Sequence, residues 1–182
     1  MVYVALLRGV NVGGNNKVDM KRLAAAFEAA GMESVRTYIN SGNILFRSSR
    51  KSVPRLATLL EQVISDEFDL DIKVLLLTID DLRTVVGALP EDWVNGGTMK
   101  TDVLFLWEDQ RDPSVVDDLP LKEGIDRLIY VHGALLWNVD RDKATRSGLP
   151  RIVGTEMYRR CTVRNANTAR KLLALAEELD AA

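Results

Sequence analysis

Tyr3-Val4-Ala5-Leu6-Leu7-Arg8-Gly9-Val10-Asn11-Val12-Gly13-Gly14-Asn15-Asn16-Lys17 begins as a continuous apolar run and breaks abruptly into glycine, asparagine and two cations. Tyr3–Leu7 has the character of a central strand covered on both faces, where alternation between apolar and polar residues is lost. Asp19 then caps a helix in which Leu23, Ala24 and Phe27 share one face, and Gly31 stops it. Val35–Ile39 reads as a strand, Asn40-Ser41-Gly42-Asn43 as a tight turn and Ile44–Arg47 as the returning strand. Ser52 starts a second helix with an apolar stripe of Leu56, Leu59, Leu60, Val63, Ile64 and Phe68, and Ile72–Leu77 is the next strand. The order is β-α-β-β-α-β, the split βαβ or ferredoxin-like arrangement.

Thr78 with Asp81 marks the start of a linking helix, Ile79 to Leu89, which Pro90 ends. The remainder repeats the element order without repeating residues. It has a strand at Asp102–Trp107, a short helix after Pro113 and a hairpin of Asp126–Val131 and Ala134–Val139 around His132-Gly133. A short strand near Cys161–Val163 and a helix from about Asn165 follow. Lys143–Arg160 has poor periodicity. The expected fold is therefore α+β, with two ferredoxin-like halves at residues 1–78 and 99–182 joined by a linking helix and loop at 79–98.

Charge is distributed unevenly. Residues 1–50 hold seven Lys/Arg against three Asp/Glu, residues 51–140 eight against eighteen, and residues 141–182 nine against five. Such a pattern predicts separate basic and acidic surfaces. One cysteine excludes an internal disulfide and points to a reducing compartment. No apolar run approaches the roughly 20 residues of a membrane span, and the start lacks signal-peptide character. A cytoplasmic protein is expected.

The split βαβ topology places the end of strand one beside the start of strand three. It thereby brings Arg8, Asn11, Gly13, Gly14, Asn16 and Lys17 toward Asn40, Ser41, Gly42 and Asn43. Glycine-rich loops expose backbone N–H groups to anions, and Lys and Arg supply charge. A third segment, Arg164-Asn165-Ala166-Asn167-Thr168, opens the last helix. Arg164, Arg170 and Lys171 there oppose the helix dipole, which an anion would offset. Asn165, Asn167 or Thr168 also serves as a helix cap, and the glycines and asparagines of the first two segments also serve turns. The expected ligand set is thus Arg8, Asn11, Gly13, Gly14, Asn16, Lys17, Asn40, Ser41, Gly42, Asn43, Arg164, Asn165, Asn167 and Thr168.

The combination of Leu6–Gly14, Lys17-Val18-Asp19-Met20, Thr37–Asn43 and Arg164–Thr168 resembles the bacterial Domain of Unknown Function 1697 family over essentially the whole chain, most specifically in the first fifty residues. The resemblance implies two ferredoxin-like halves and no established activity, substrate or cofactor. Two departures stand out. Ala166 replaces the Trp usual between the two Asn residues, and Arg146-Ser147-Gly148-Leu149 lacks the Lys of an Arg-Ser-Lys-Leu-like run.

The loop is not a P-loop, because Asn15 and Asn16 stand where Lys and Ser/Thr belong, and it is not a dinucleotide fingerprint. One His assembles neither a triad nor a His-based metal site. Cys161 reads as a packed thiol. The favoured function is binding of an anionic, phosphate-containing ligand, either an anionic small molecule or nucleotide or, through Tyr3, Tyr38 and Phe46, single-stranded RNA. The alternatives are an enzyme acting on a small phosphorylated substrate, with Asp19 and Tyr38 the nearest acid–base groups, and a protein-interaction or oligomerisation module. The sequence names no cofactor and no catalytic residue, and it predicts no membrane partner.

Overall fold

The computed structural model describes residues 1–182. The chain divides into two compact units, Met1–Asp80 with Leu172–Ala182, and Asp81–Lys171.

In the first unit the elements are β1 (Val2–Leu7), α1 (Met20–Ala29), β2 (Glu33–Tyr38), β3 (Asn43–Arg47), α2 (Val53–Phe68) and β4 (Val74–Thr78). They form one four-stranded sheet of order β2-β3-β1-β4, with β1 antiparallel to both neighbours. The two helices start where the sequence places them, though Ser52 stands at the N-cap of α2 without making a side-chain cap hydrogen bond. Asp19 accepts from the Lys21 and Arg22 amides at 2.9 Å and caps α1. Pro54 sits in the first turn of α2, where its missing N–H costs nothing. Gly31, at φ +89°, follows the end of α1.

One face of the sheet, carrying Tyr3, Ala5, Leu7, Ile44, Phe46, Val74 and Leu76, shares a core with Leu23 and Phe27 of α1 and Leu56, Leu60 and Ile64 of α2. Burial of each such side chain is worth about 1.5–3 kcal/mol. Every residue of β1 is buried, so the opposite face of the central strands, with Val4, Leu6 and Leu45, is closed as well. This accounts for a strand without alternation.

The second unit holds α3 from Asp81 onward (the helix runs Ile79–Gly87), then β5 (Met99–Leu106), β6 (Asp126–Val131) and β7 (Ala134–Asp140). After these come α4 (Leu149–Ile152), α5 (Glu156–Arg159), β8 (Cys161–Asn165) and the start of α6 (Ala166–Ala181). Its sheet has the order β6-β7-β5-β8, again with the first strand antiparallel to both neighbours. The two sheets thus share one pattern of order and pairing. The crossovers differ: short 3-10 turns at 108–110, 113–116 and 141–146, with α4 and α5, stand where the first unit has α1 and α2. Leu104, Leu106, Leu135, Trp137, Leu149, Ile152 and Cys161 make the buried core beneath them.

Asp126 anchors that layer. Its carboxylate accepts from Trp137 Nε1 and the backbone N–H of Gly148 at 2.9 Å, from Lys122 N–H at 2.8 Å and from the Ser147 hydroxyl. Burial pushes the Asp126 carboxyl up, but these four donors outweigh burial and hold it below the usual carboxylate range.

Candidate anion-binding site

The loop after β1 folds as a small hairpin. Asn11 N–H donates to Asn16 O at 3.2 Å and Asn15 N–H to Val12 O at 3.1 Å. Gly13 and Gly14 occupy the two central positions at φ +60° and +81°, as a type I′ turn demands. Both glycines are exposed, and their N–H groups donate to no other group of the protein. Lys17 follows, exposed and in no ion pair.

The loop meets the 40–43 turn, as the topology predicts. Leu7 N–H donates to Gly42 O at 2.8 Å, and Arg8 N–H donates to Lys73 O at 3.1 Å. Asn11 joins the two segments. Its Nδ2 donates to Val18 O and to Asn40 O, each at 3.0 Å, while its Oδ1 accepts from Val18 N–H at 2.9 Å. Gly42, at φ +70°, leaves no room for a side chain, since a Cβ there would stand 2.7 Å from Leu7 Cβ.

Several amides read from sequence as ligand-orienting groups have internal roles. Asn11 fastens the loop to the turn. Asn16 Nδ2 donates to Gly9 O at 3.1 Å. Asn43 is fully buried on β3, and its Nδ2 donates to Tyr38 O at 3.1 Å. Amides serve such loops and ligands equally well, which is why sequence does not separate the two uses. The groups that face outward are the Gly13 and Gly14 amides, Lys17 and Asn40, with half-buried Arg8 and Ser41 beside them. Lys73, whose carbonyl holds Arg8, is itself balanced by Glu61 and Asp71, each at 3.4 Å. Those carboxylates, Glu61 foremost, raise its pKa.

The third expected segment lies in the second unit. Arg164 is on β8, only 9% exposed, and its guanidinium donates to Val163 O at 2.8 Å and Thr162 Oγ1 at 3.1 Å. Burial lowers its pKa to about 10. Asn165 Oδ1 caps α6 by accepting from Thr168 N–H at 2.8 Å. Asn167 Nδ2 donates to Asn95 O at 2.7 Å, and its Oδ1 accepts from Asn95 N–H at 3.1 Å. Arg170, a cation that seemed to call for an anion, donates instead to Trp93 O and Pro90 O at 2.8 and 2.7 Å. Ala166 is fully buried.

Two of the three aromatics expected to meet RNA lie inside the protein, and Tyr38 is half-buried at the end of β2. Tyr3 and Phe46 are fully buried, stacked at 5.8 Å, with Phe27 edge-on to Phe46 at 6.0 Å. They face the helices, because the face of β1 and β3 that carries them is the one α1 and α2 cover. Asp19 and Cys161 likewise have structural roles, Asp19 as a cap and Cys161 as a buried thiol donating to Tyr158 O at 3.4 Å. No group of three or more His, Cys, Asp or Glu side chains is placed to hold a metal ion, and no helix is long and apolar enough to cross a membrane.

One residue with no sequence signal stands out. Ile39, just before the turn, is 51% exposed and held at φ +48°. A β-branched side chain in that conformation is strained, by about 1–3 kcal/mol.

The class that emerges is an α+β protein of two four-stranded antiparallel sheets, with a glycine–asparagine loop clasped to a turn at the end of the first. The chain belongs to the family described as "Protein of unknown function (DUF1697)", whose sequence profile matches residues 1–137. The match stops short of the Arg164–Thr168 motif. The fold is also similar to that of a solved protein from Streptococcus pneumoniae, the conserved bacterial protein SP0830. The two share 29% sequence identity and a TM-score of 0.82, over 96% of this chain and 98% of the other. No curated protein matches the chain.

Proposed function

We propose that the first unit binds an anionic, phosphate-bearing ligand, a nucleotide or nucleic acid backbone, at the 8–17 loop and the 40–43 turn, and that both units are ferredoxin-like halves. The shared strand order and the β-α-β-β-α-β sequence of the first unit support the second part. One observation carries the first: two adjacent glycine N–H groups stand uncommitted at a hairpin tip, three residues from an unpaired lysine. Successive backbone N–H groups in a turn form a concave anion receptor, and a nearby cation adds long-range attraction. Asn11 and Gly42 hold the receptor to the sheet, and Arg8 is the second cation. The residues of 164–168 serve β8 and α6 in this reading.

The test is fluorescence anisotropy of a labelled single-stranded RNA at low and moderate salt, with inorganic phosphate and a nucleoside monophosphate as competitors. Wild type should bind the RNA with an affinity that falls as salt rises, and Lys17→Ala should weaken binding and flatten that slope by about one counterion. Displacement by the monophosphate with no RNA preference would assign the site to nucleotides. Absence of binding to all three probes by a folded wild type would remove the proposal.

A further inference from the structure

The second unit carries a cleft beside its short crossovers. In the first unit the two crossovers are a ten-residue and a sixteen-residue helix, whose apolar stripes close over the sheet. In the second, the β5-to-β6 connection has only the turns at 108–110 and 113–116, and the β7-to-β8 connection ends in the four-residue helices α4 and α5. Elements that short do not span the sheet. Between them is a cleft of about 660 Å³, within the range of small-molecule sites.

The lining combines two characters. Val115, Leu119, Ile152 and Met157 present apolar surface, all four belonging to or packed against the core of this unit. Asp109, Asp112, Asp118 and Glu156 bring four carboxylates, against a single guanidinium from Arg151. Arg160 pairs with Asp109 and, at 3.1 Å, with Glu156, tying the 108–110 turn to α5. Asp112 is half committed, accepting from Ser114 N–H at 2.8 Å. Asp118 is exposed and has no partner.

We propose that this cleft binds a small organic ammonium ion with an apolar body, the hydrocarbon seated on Val115, Leu119, Ile152 and Met157 and the ammonium facing Asp118 and Asp112. Arg160 and Arg159 neutralise Asp109 and Glu156, so Asp112 and Asp118, which outnumber Arg151, set the sign of the ligand's charge, and the apolar floor sets its body. This site lies wholly within the second unit and owes nothing to the anion site of the first.

The experiment is NMR of the full chain with ¹³C-methyl methionine, titrated separately with 4-phenylbutylamine, 4-phenylbutanol and 4-phenylbutanoate. Met157 lines the cleft, while Met20 and Met32 lie in the first unit's core and report on non-specific effects. The amine should shift Met157 alone and saturate at a concentration about threefold to tenfold below the alcohol, with the carboxylate weakest. Asp118→Asn, at an exposed unpaired side chain, should narrow the gap between amine and alcohol without changing alcohol binding. Equal saturation by all three ligands, tighter binding of the carboxylate, or no movement of Met157 with any of them would overturn the proposal.

Discussion

Asn11 Nδ2 lies 3.0 Å from the carbonyl oxygen of Asn40, and this hydrogen bond holds the loop after β1 to the turn before β3. The same nitrogen donates to Val18 O, and the oxygen of the same side chain accepts from Val18 N–H. One side chain thus closes the loop on itself and fixes it to the neighbouring strand connection. Its backbone stands at φ +55°, a conformation asparagine tolerates better than most residues.

Asn11→Ala should therefore cost about 1–3 kcal/mol for the lost side-chain hydrogen bonds and about 1–2 kcal/mol more for alanine in a left-handed position. Asn11→Gly removes only the first of these. Urea denaturation of the three proteins separates the two contributions, and a glycine variant as unstable as the alanine one would refute the backbone part. Both variants should also lose phosphate binding, since the glycine tip is then no longer fixed relative to the turn.

Ile39 offers the opposite trade. It gains little from burial and is strained at φ +48°, so Ile39→Asn should raise the thermal midpoint, by up to about 1–2 kcal/mol of relieved strain. A residue that weakens the free protein and faces outward beside the anion loop is expected to contact what binds there. The same variant should then lower affinity for the nucleoside monophosphate while leaving affinity for inorganic phosphate unchanged. Equal effects on both ligands, or none on stability, would contradict this account.

The first unit was legible because each element had its own signal. Asp19 and Gly31 bracket α1, the apolar stripe defines α2, and the turn at 40–43 separates β2 from β3. The convergence of the two loops followed from strand order alone. The assignment of individual amides did not, because Asn11, Asn16 and Asn43 use inward the donors and acceptors a ligand would use. Likewise Arg170 looked like a charge awaiting an anion, and only the fold brings the Pro90 and Trp93 carbonyls to it. The run 143–160 defeated periodicity because turns and four-residue helices have no repeat to detect. That same brevity opens the cleft.

Gly148 stands in the run Arg146-Ser147-Gly148-Leu149, just before α4. A Cβ there would lie 1.9 Å from Pro120 O and 2.7 Å from Pro120 C. Because the obstacle is backbone, it does not rotate aside. Gly148→Ala must displace the Gly148 N–H and Ser147 from Asp126, loosening the anchor under Trp137. We expect a loss of more than about 3 kcal/mol, with the Trp137 environment changed in near-ultraviolet circular dichroism. A variant as stable as wild type would show that the 120 and 148 segments move apart freely.

Asp102 lies on β5 in register with Trp137 and Asn165, largely buried and 3.4 Å from Lys100 Nζ. Burial raises its pKa, and the Lys100 charge only partly opposes this. A carboxyl whose folded pKa exceeds its unfolded value favours the folded state below the unfolded pKa, and that contribution is lost as pH rises through the folded pKa. Once ionised, the group is therefore a net burden on the fold. Asp102→Asn should raise the thermal midpoint at pH 7, and its advantage should shrink as the medium is acidified toward the unfolded carboxylate value of about 3.9. Midpoints of both proteins measured at intervals from pH 7 to pH 4 test this. A constant difference across that range would assign the effect to altered packing or hydrogen bonding, and a destabilised variant at pH 7 would show that the Lys100 pair outweighs the cost of burial.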